Sequence, residues 1–165
     1  MDTVFLGYFA SHIPITLLVD LMPLLPAAAI PRPLLHLNQF LTGTLRDPLM
    51  VIEPRRPDLL WLHSFLVCEL VLQVPFFFYA VWALWTANPR RHLPFLVYGA
   101  HVSTTVVPIL ATLLFGDIDR SASERLVLVG LYAPYLAIPL AITYTSFAAC
   151  TRALSAAHPL KAKTA

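Results

Sequence analysis

Glu69 stands in the middle of WLHSFLVCELVLQVPFFFYAVWALW, residues 61–85, a stretch otherwise almost wholly apolar. A carboxylate at bilayer depth costs a few kcal/mol by insertion scales, so it normally faces the inside of a bundle and meets a partner there. Gln73 follows it by one helical turn and Phe65 precedes it by one, on the same stripe. The obvious second acid is Asp20, near the end of an apolar segment that also contains His12, Pro14 and Thr16. Two readings of Asp20 stand side by side: a helix-terminal carboxylate reaching headgroup water, or an inward-facing acid with Thr16 on its own face. If both acids face one cavity, they cannot both stay ionised cheaply in a low dielectric. One should then hold a proton and hydrogen-bond the other. The remaining charge would attract a cation, and apolar and aromatic surroundings would suit an amphiphilic amine. The same pair could instead serve as general acid and base on a lipid substrate.

The elements that must position these acids are membrane helices. The chain has 165 residues, 58% hydrophobic and only 12% charged, with a mean hydropathy of +0.72. Soluble domains run near 45–50% apolar and about 25% charged, so this is an integral membrane protein. Its length accommodates about four helices of roughly 20 residues with connections, hence a single domain over residues 1–165. The spacing predicts spans over residues 4–25, 61–86, 93–115 and 124–150, with a long connection over 26–60. The first segment lacks the basic start and the cleavage site of a signal peptide and is read as a span. Trp61 sits at one end of the second span, and Tyr79, Trp82 and Trp85 lie towards the other, as aromatic belts do. Pro14, Pro75, Pro108, Pro134 and Pro139 fall within apolar spans. Each removes a backbone hydrogen bond, so the expected fold is an all-α four-helix transmembrane bundle whose proline-kinked helices open around an intramembrane ligand cavity.

The connection from 26 to 60 is rich in proline, and a loop that long in a small membrane protein is more often functional than idle. Within it, Leu34, Leu37, Leu41 and Leu45 recur at helical intervals, which predicts a short amphipathic helix lying in the interface or over the bundle as a lid. Asp47, before Pro48, reads as a turn or cap residue that orders this lid. NPRRH at 88–92 makes the second and third spans antiparallel neighbours. Ser121 or Ser123 is placed to cap the fourth span. Most hydroxyls of the third span are expected to bond back to their own helix, with at least one left to face a cavity. Cys68 and Cys150 lie in apolar segments as small core residues. The net charge of +2 and the absence of basic, aromatic-interleaved runs exclude a nucleic-acid partner. No metal, cofactor or catalytic residue is expected. Basic residues are nearly balanced between the two sides, so charge assigns no orientation. Lys161 and Lys163, close to the C-terminus, resemble a cytosolic dilysine retrieval signal.

Long blocks of the chain carry a resemblance: YFASHIPITLLVDL at 8–21, RDPLM at 46–50, SFLVCELVLQVPFFFYA at 64–80, VPILATLLF at 107–115 and ERLVLVGLYAPYLAIPL at 124–140. In that order they resemble the EXPERA family of four-helix membrane proteins, in particular its sigma-2-type receptors. The resemblance implies a multi-pass endoplasmic-reticulum protein, with endosomal, lysosomal or nuclear membranes as further sites. It implies a homodimer that binds cationic amphiphilic small molecules and cholesterol or an oxysterol. It also implies a part in cholesterol homeostasis and trafficking, with the Niemann-Pick type C cholesterol transporter as a partner. Carried over by residue, it makes Asp20 the carboxylate that pairs with a ligand amine and Glu69 its protonated neighbour. Gln73, His12, Phe65, Thr105 and Tyr135 match pocket-lining positions, and Asp47 matches a position important for binding. The chain departs from the family at Leu41, where an aromatic is common, in a shorter amino terminus and in extra prolines in the first loop.

A more remote resemblance to the emopamil-binding sterol isomerase gives the alternative, an enzyme that shifts a ring double bond by protonation and deprotonation. Such chemistry needs an aromatic cage for a cationic intermediate. Trp61, Trp82 and Trp85 all lie towards span ends, which favours a binding protein. In a third reading the chain is a scaffold whose acids only stabilise helix packing.

Overall fold

The computed structural model describes residues 1–53 and 56–157 and contains helices without strands among them. Helices long and apolar enough to cross a membrane cover Asp2–Leu24, Pro57–Trp85, Pro89–Phe115 and Ala122–Ala157, the first to fourth spans. The chain is a multi-pass membrane protein. The expected boundaries are short at several ends. The second and third spans start at prolines that are well suited to a first helical turn, Pro57 and Pro89. The fourth starts at Ala122, where Ser121 and Glu124 form a reciprocal capping box, and runs past Cys150 because TRALSAA contains no helix breaker. Lys161 and Lys163 lie outside the described residues, as do Pro54 and Arg55 of the long loop.

Two of the span prolines stand beside a change of helical register, while Pro108 and Pro139 lie inside regular α-helix. Thr16–Asp20, just after Pro14, and Glu69–Gln73, just before Pro75, are turns of π-helix. In them Leu21 N–H bonds to the Thr16 carbonyl at 3.2 Å, and Val74 N–H bonds to that of Glu69. Such wide turns inside α-helices are frequent at functional sites. Both candidate acids sit on one. In the fourth span the ladder breaks instead at Ala133, ahead of Pro134.

Two packed clusters divide the bundle along its length. Towards the termini, Tyr8 and Phe9 of the first span meet Phe77 of the second, Phe95 and Tyr98 of the third and Ile142 of the fourth. Phe76 stacks on Tyr98 with centroids 4.6 Å apart, and the Tyr8 and Tyr98 hydroxyls lie 3.1 Å apart. Towards the other end, Leu21, Leu62, Leu66, Leu113 and Leu128 pack with Leu49 of the long loop. The third and fourth spans approach closely at Gly99, against Pro139 and Thr143. Outside, Val67, Val71, Phe78, Trp82, Trp85 and Phe147 are exposed, as expected of a surface facing hydrocarbon and its borders.

The long loop folds over the leucine-rich end. Its helix, Arg32–Gln39, continues into a π turn over Phe40–Thr44, close to the expected amphipathic segment. Met22, Ile30 and Met50 are buried beneath it with Leu34 and Leu41, and Asn38 Nδ2 donates to the Met50 carbonyl at 2.6 Å. Arg46, with φ of 55°, clasps the loop to the connection between the last two spans. Its guanidinium reaches Glu124 at 2.8 Å, and its carbonyl accepts from Arg120 Nε at 2.7 Å. Arg125 donates to the carbonyls of Leu113, Leu114, Gly116 and Ile118 and so satisfies the open C-terminal end of the third span. At the opposite end Arg91 ties to Asp2 at 2.6 Å.

Candidate functional site

A cavity of about 260 Å³ lies between the aromatic and leucine clusters, roofed by Leu41, Asp47, Leu49 and Met50 of the long loop. The first span supplies Tyr8, His12 and Asp20 to its wall, and the second supplies Phe65, Glu69 and Gln73. Thr105 comes from the third span, and Tyr132 and Tyr135 come from the fourth. All of the candidate site residues read from the sequence therefore stand around this one space. Each side owes that to spacing. Tyr8, His12, Thr16 and Asp20 recur every four residues, as do Phe65, Glu69 and Gln73, and the two π turns aim both rows at each other.

Asp20 faces the cavity: it is half-buried, and its Oδ2 lies 3.2 Å from Thr16 Oγ1. The same hydroxyl lies 2.7 Å from Glu69 Oε1, and Thr16 itself is fully buried. The acids thus meet through Thr16, where a direct acid-to-acid hydrogen bond was expected. Thr16 was legible as a neighbour of Asp20 on one helix. Its contact with Glu69, 53 positions away in the chain, was not. Among the described residues the ion pairs lie at the bundle ends, at Arg46, Arg56 and Arg91, and none of them reaches Asp20 or Glu69.

The rest of the wall is arranged around apolar contact. His12 Nδ1 donates to the Tyr8 carbonyl at 2.7 Å, which fixes its tautomer, and its ring packs on Tyr8, Phe77 and Tyr135. Phe65 stands edge-on to Trp61. Thr105 bonds back to the Val102 carbonyl at 3.0 Å, so its hydroxyl proton is used within its own helix while the side chain still lines the cavity. Gln73 is buried at the wall one turn beyond Glu69. Tyr8 and Tyr132 were not picked out for the site. The four-residue row through His12 could have pointed to Tyr8; nothing local points to Tyr132.

Tyr132 explains Asp47. The carboxylate accepts from the Leu49 N–H at 2.8 Å through Oδ1 and from the Tyr132 hydroxyl at 2.8 Å through Oδ2. One oxygen shapes the loop turn and the other fastens the loop to the fourth span. Burial pushes the Asp47 carboxyl above its ordinary value, against those hydrogen bonds. With the folded value raised, the stabilisation from this group is full below the ordinary Asp value of about 4 and is lost as pH rises through the folded one. Resistance of the loop to a protease is therefore expected to decline with pH from about 4 upward. Asp47→Asn, which cannot ionise, should flatten that dependence; an unaltered slope in the variant would assign it to other groups.

The model of the family described as EXPERA (EXPanded EBP superfamily) matches residues 33–146. The chain is 40% identical over 153 residues to Sigma intracellular receptor 2 of Xenopus tropicalis, covering 88% of this chain and 86% of that protein. It is 40% identical over 143 residues to Sigma intracellular receptor 2 of Homo sapiens, covering 80% and 78%. It is also 31% identical over 142 residues to Efficient mitochondria targeting-associated protein 19 of Schizosaccharomyces pombe, covering 85% and 71%.

Proposed function

The chain belongs to the EXPERA family, and from that membership we propose that it is an intracellular membrane receptor of sigma-2 type, which takes cationic amphiphilic molecules and sterols into the cavity between its spans. One observation carries the reading: two carboxyl groups face an apolar, aromatic cavity in which no cation of the described residues pairs with them. A buried charge is costly unless it is compensated. A ligand amine would supply the missing partner, and its apolar body would fill the space between Phe65, Tyr135 and the leucines. The likeness to the two sigma intracellular receptors supports the same conclusion.

The rest of the proposal follows that likeness. The receptor resides in the endoplasmic-reticulum membrane, acts as a homodimer and serves cholesterol homeostasis and trafficking through the Niemann-Pick type C cholesterol transporter. It binds its ligands without converting them. Saturation binding of a tritiated tertiary-amine amphiphile to membranes containing the protein tests the core of this, with cholesterol or an oxysterol as competitor. Saturable binding that a sterol displaces is the expected result. Turnover of a labelled sterol by the purified protein would replace the receptor with an isomerase. If the amphiphile adds no thermal stability to the purified protein, the acids serve packing alone.

A further inference from the structure

The formal charge of +2 is unevenly placed along the bundle. By sequence, the span ends on the side of both termini carry Arg90, Arg91, Arg152, Lys161 and Lys163 against a single acid, Asp2. The loop side sets six arginines against six acids and balances. Arg91 is spent on Asp2, which its guanidinium reaches at 2.6 Å. Arg90 and Arg152 are exposed and pair with no acid among the described residues.

Arg152 also belongs to a groove. The helical run Ala122–Ala157 has 36 residues, roughly 50 Å of helix against roughly 30 Å of hydrocarbon, so its last turns stand among headgroups. Since Gly99 of the third span meets Pro139 and Thr143 of the antiparallel fourth, Arg152 comes level with the turn that opens the third span, within electrostatic reach of His92. Exposed Trp82 and Trp85, just before that turn, mark the same border. Across it an outward groove of about 450 Å³ is lined by Tyr144, Phe147, Ala148, Thr151, Arg152 and Ser155. Its character changes along the helix. Tyr144 and Phe147, both exposed, lie on the hydrocarbon side, while Thr151, Arg152 and Ser155 lie towards the headgroups; buried Ile142 and Ser146 turn the opposite face into the bundle. Thr151 donates its hydrogen to the Phe147 carbonyl at 2.9 Å, which leaves the Arg152 guanidinium and the Ser155 hydroxyl as donors. A guanidinium fork matches phosphate oxygens in pairs.

We infer that this groove binds an anionic phospholipid of the leaflet beside the termini, with the phosphate on Arg152 and Ser155 and an acyl chain along Phe147 and Tyr144. The net positive charge of this end selects the anionic headgroup. A zwitterionic lipid offers the same phosphate but cancels it with an amine that the arginines repel.

Native mass spectrometry of the purified full-length chain, supplied with equal amounts of phosphatidylserine and phosphatidylcholine, counts bound lipids and chains together. Phosphatidylserine should be retained over phosphatidylcholine by roughly tenfold, and Arg152→Gln should cut that preference roughly fivefold, the share of one basic residue at an anionic surface. Arg152→Lys should keep most of it. Arg32→Gln, which removes an exposed charge at the loop side, should leave it unchanged. In thermal unfolding, stabilisation of the wild type by phosphatidylserine should shrink as salt is raised. Equal retention of the two lipids, an equal fall in Arg32→Gln, or retention of added cholesterol in place of phospholipid would overturn the site. So would stabilisation by glycerophosphoserine equal to that by the whole lipid, because the groove would then hold no chain. If Arg152→Gln splits dimers while lipid retention persists, the face is a contact between two copies and the lipid assignment is wrong.

Discussion

Asp20→Asn is expected to abolish saturable binding of cationic amphiphiles, a loss of about a hundredfold or more in affinity. The substitution keeps the shape of the side chain and one acceptor oxygen for Thr16, so the π turn over Thr16–Asp20 has no steric reason to change. What disappears is the charge. An amine in the cavity would be stranded among Phe65, Tyr135 and leucines, because the other acid contacts only the Thr16 hydroxyl and lies deeper in its span. Breaking one partner of a buried ion pair costs about 3–5 kcal/mol, most of it the penalty of the charge left behind. A neutral sterol has no ammonium group to lose. Its displacement by unlabelled sterol should stay within a few-fold, which makes the variant its own control for folding. Radioligand saturation and sterol competition on the same membranes read both. Unchanged amine affinity would move the ion pair to another group, with Glu69 and Asp47 the other acids in the wall.

Gly99→Ala is expected to cost about 1–3 kcal/mol of stability and to lower ligand affinity at a distance. A Cβ at Gly99 would lie 2.7 Å from the Pro139 carbonyl oxygen, 3.0 Å from the Thr143 nitrogen and in collision with the Thr143 hydroxyl. Two of these atoms belong to backbone and cannot rotate away, so the third and fourth spans must part. Close approach of small residues is the main source of helix attraction in lipid, where apolar surface has nothing to gain from leaving hydrocarbon. The third span carries Val102, Thr105 and Ile109 of the cavity wall, and the fourth carries Tyr135, so separation reaches the site. Gly7 and Gly130 meet nothing within 4 Å at the same construction. Alanine there should be neutral or raise stability by up to about 1 kcal/mol through helix propensity. Thermal unfolding in detergent compares all three. Equal behaviour at Gly99 and Gly130 would mean that the span contact carries no weight.

Individual residues mark how far the sequence could be read. Glu69 announced itself because an acid within an almost wholly apolar stretch of twenty-five residues has one economical place, inside a bundle. Gln73 and Phe65 came with it by helical spacing, and Leu34 to Leu45 declared the loop helix in the same way. Asp47 was legible as a turn residue from its Pro48 neighbour, and its Leu49 bond is such a local contact. Asp20 was ambiguous, since a carboxylate near a span end is equally at home in water or in a cavity. The prolines were visible, but whether each would bend, widen or break its helix depended on which neighbour took the freed carbonyl.

Composition and periodicity by themselves determined a membrane bundle of four helices, a short helix in the long connection and a pair of acids in the apolar spans, because hydrocarbon leaves the backbone so few ways to satisfy its hydrogen bonds. Only the tertiary structure decided that Thr16 stands between those acids, that Tyr132 fastens Asp47, and that Arg46, Arg120 and Glu124 clasp the loop. Those contacts join residues 53, 85, 74 and 78 positions apart. No helical period encodes such separations. They are set where proline-shifted spans come to rest against one another, and a π turn of one extra residue rotates a whole face.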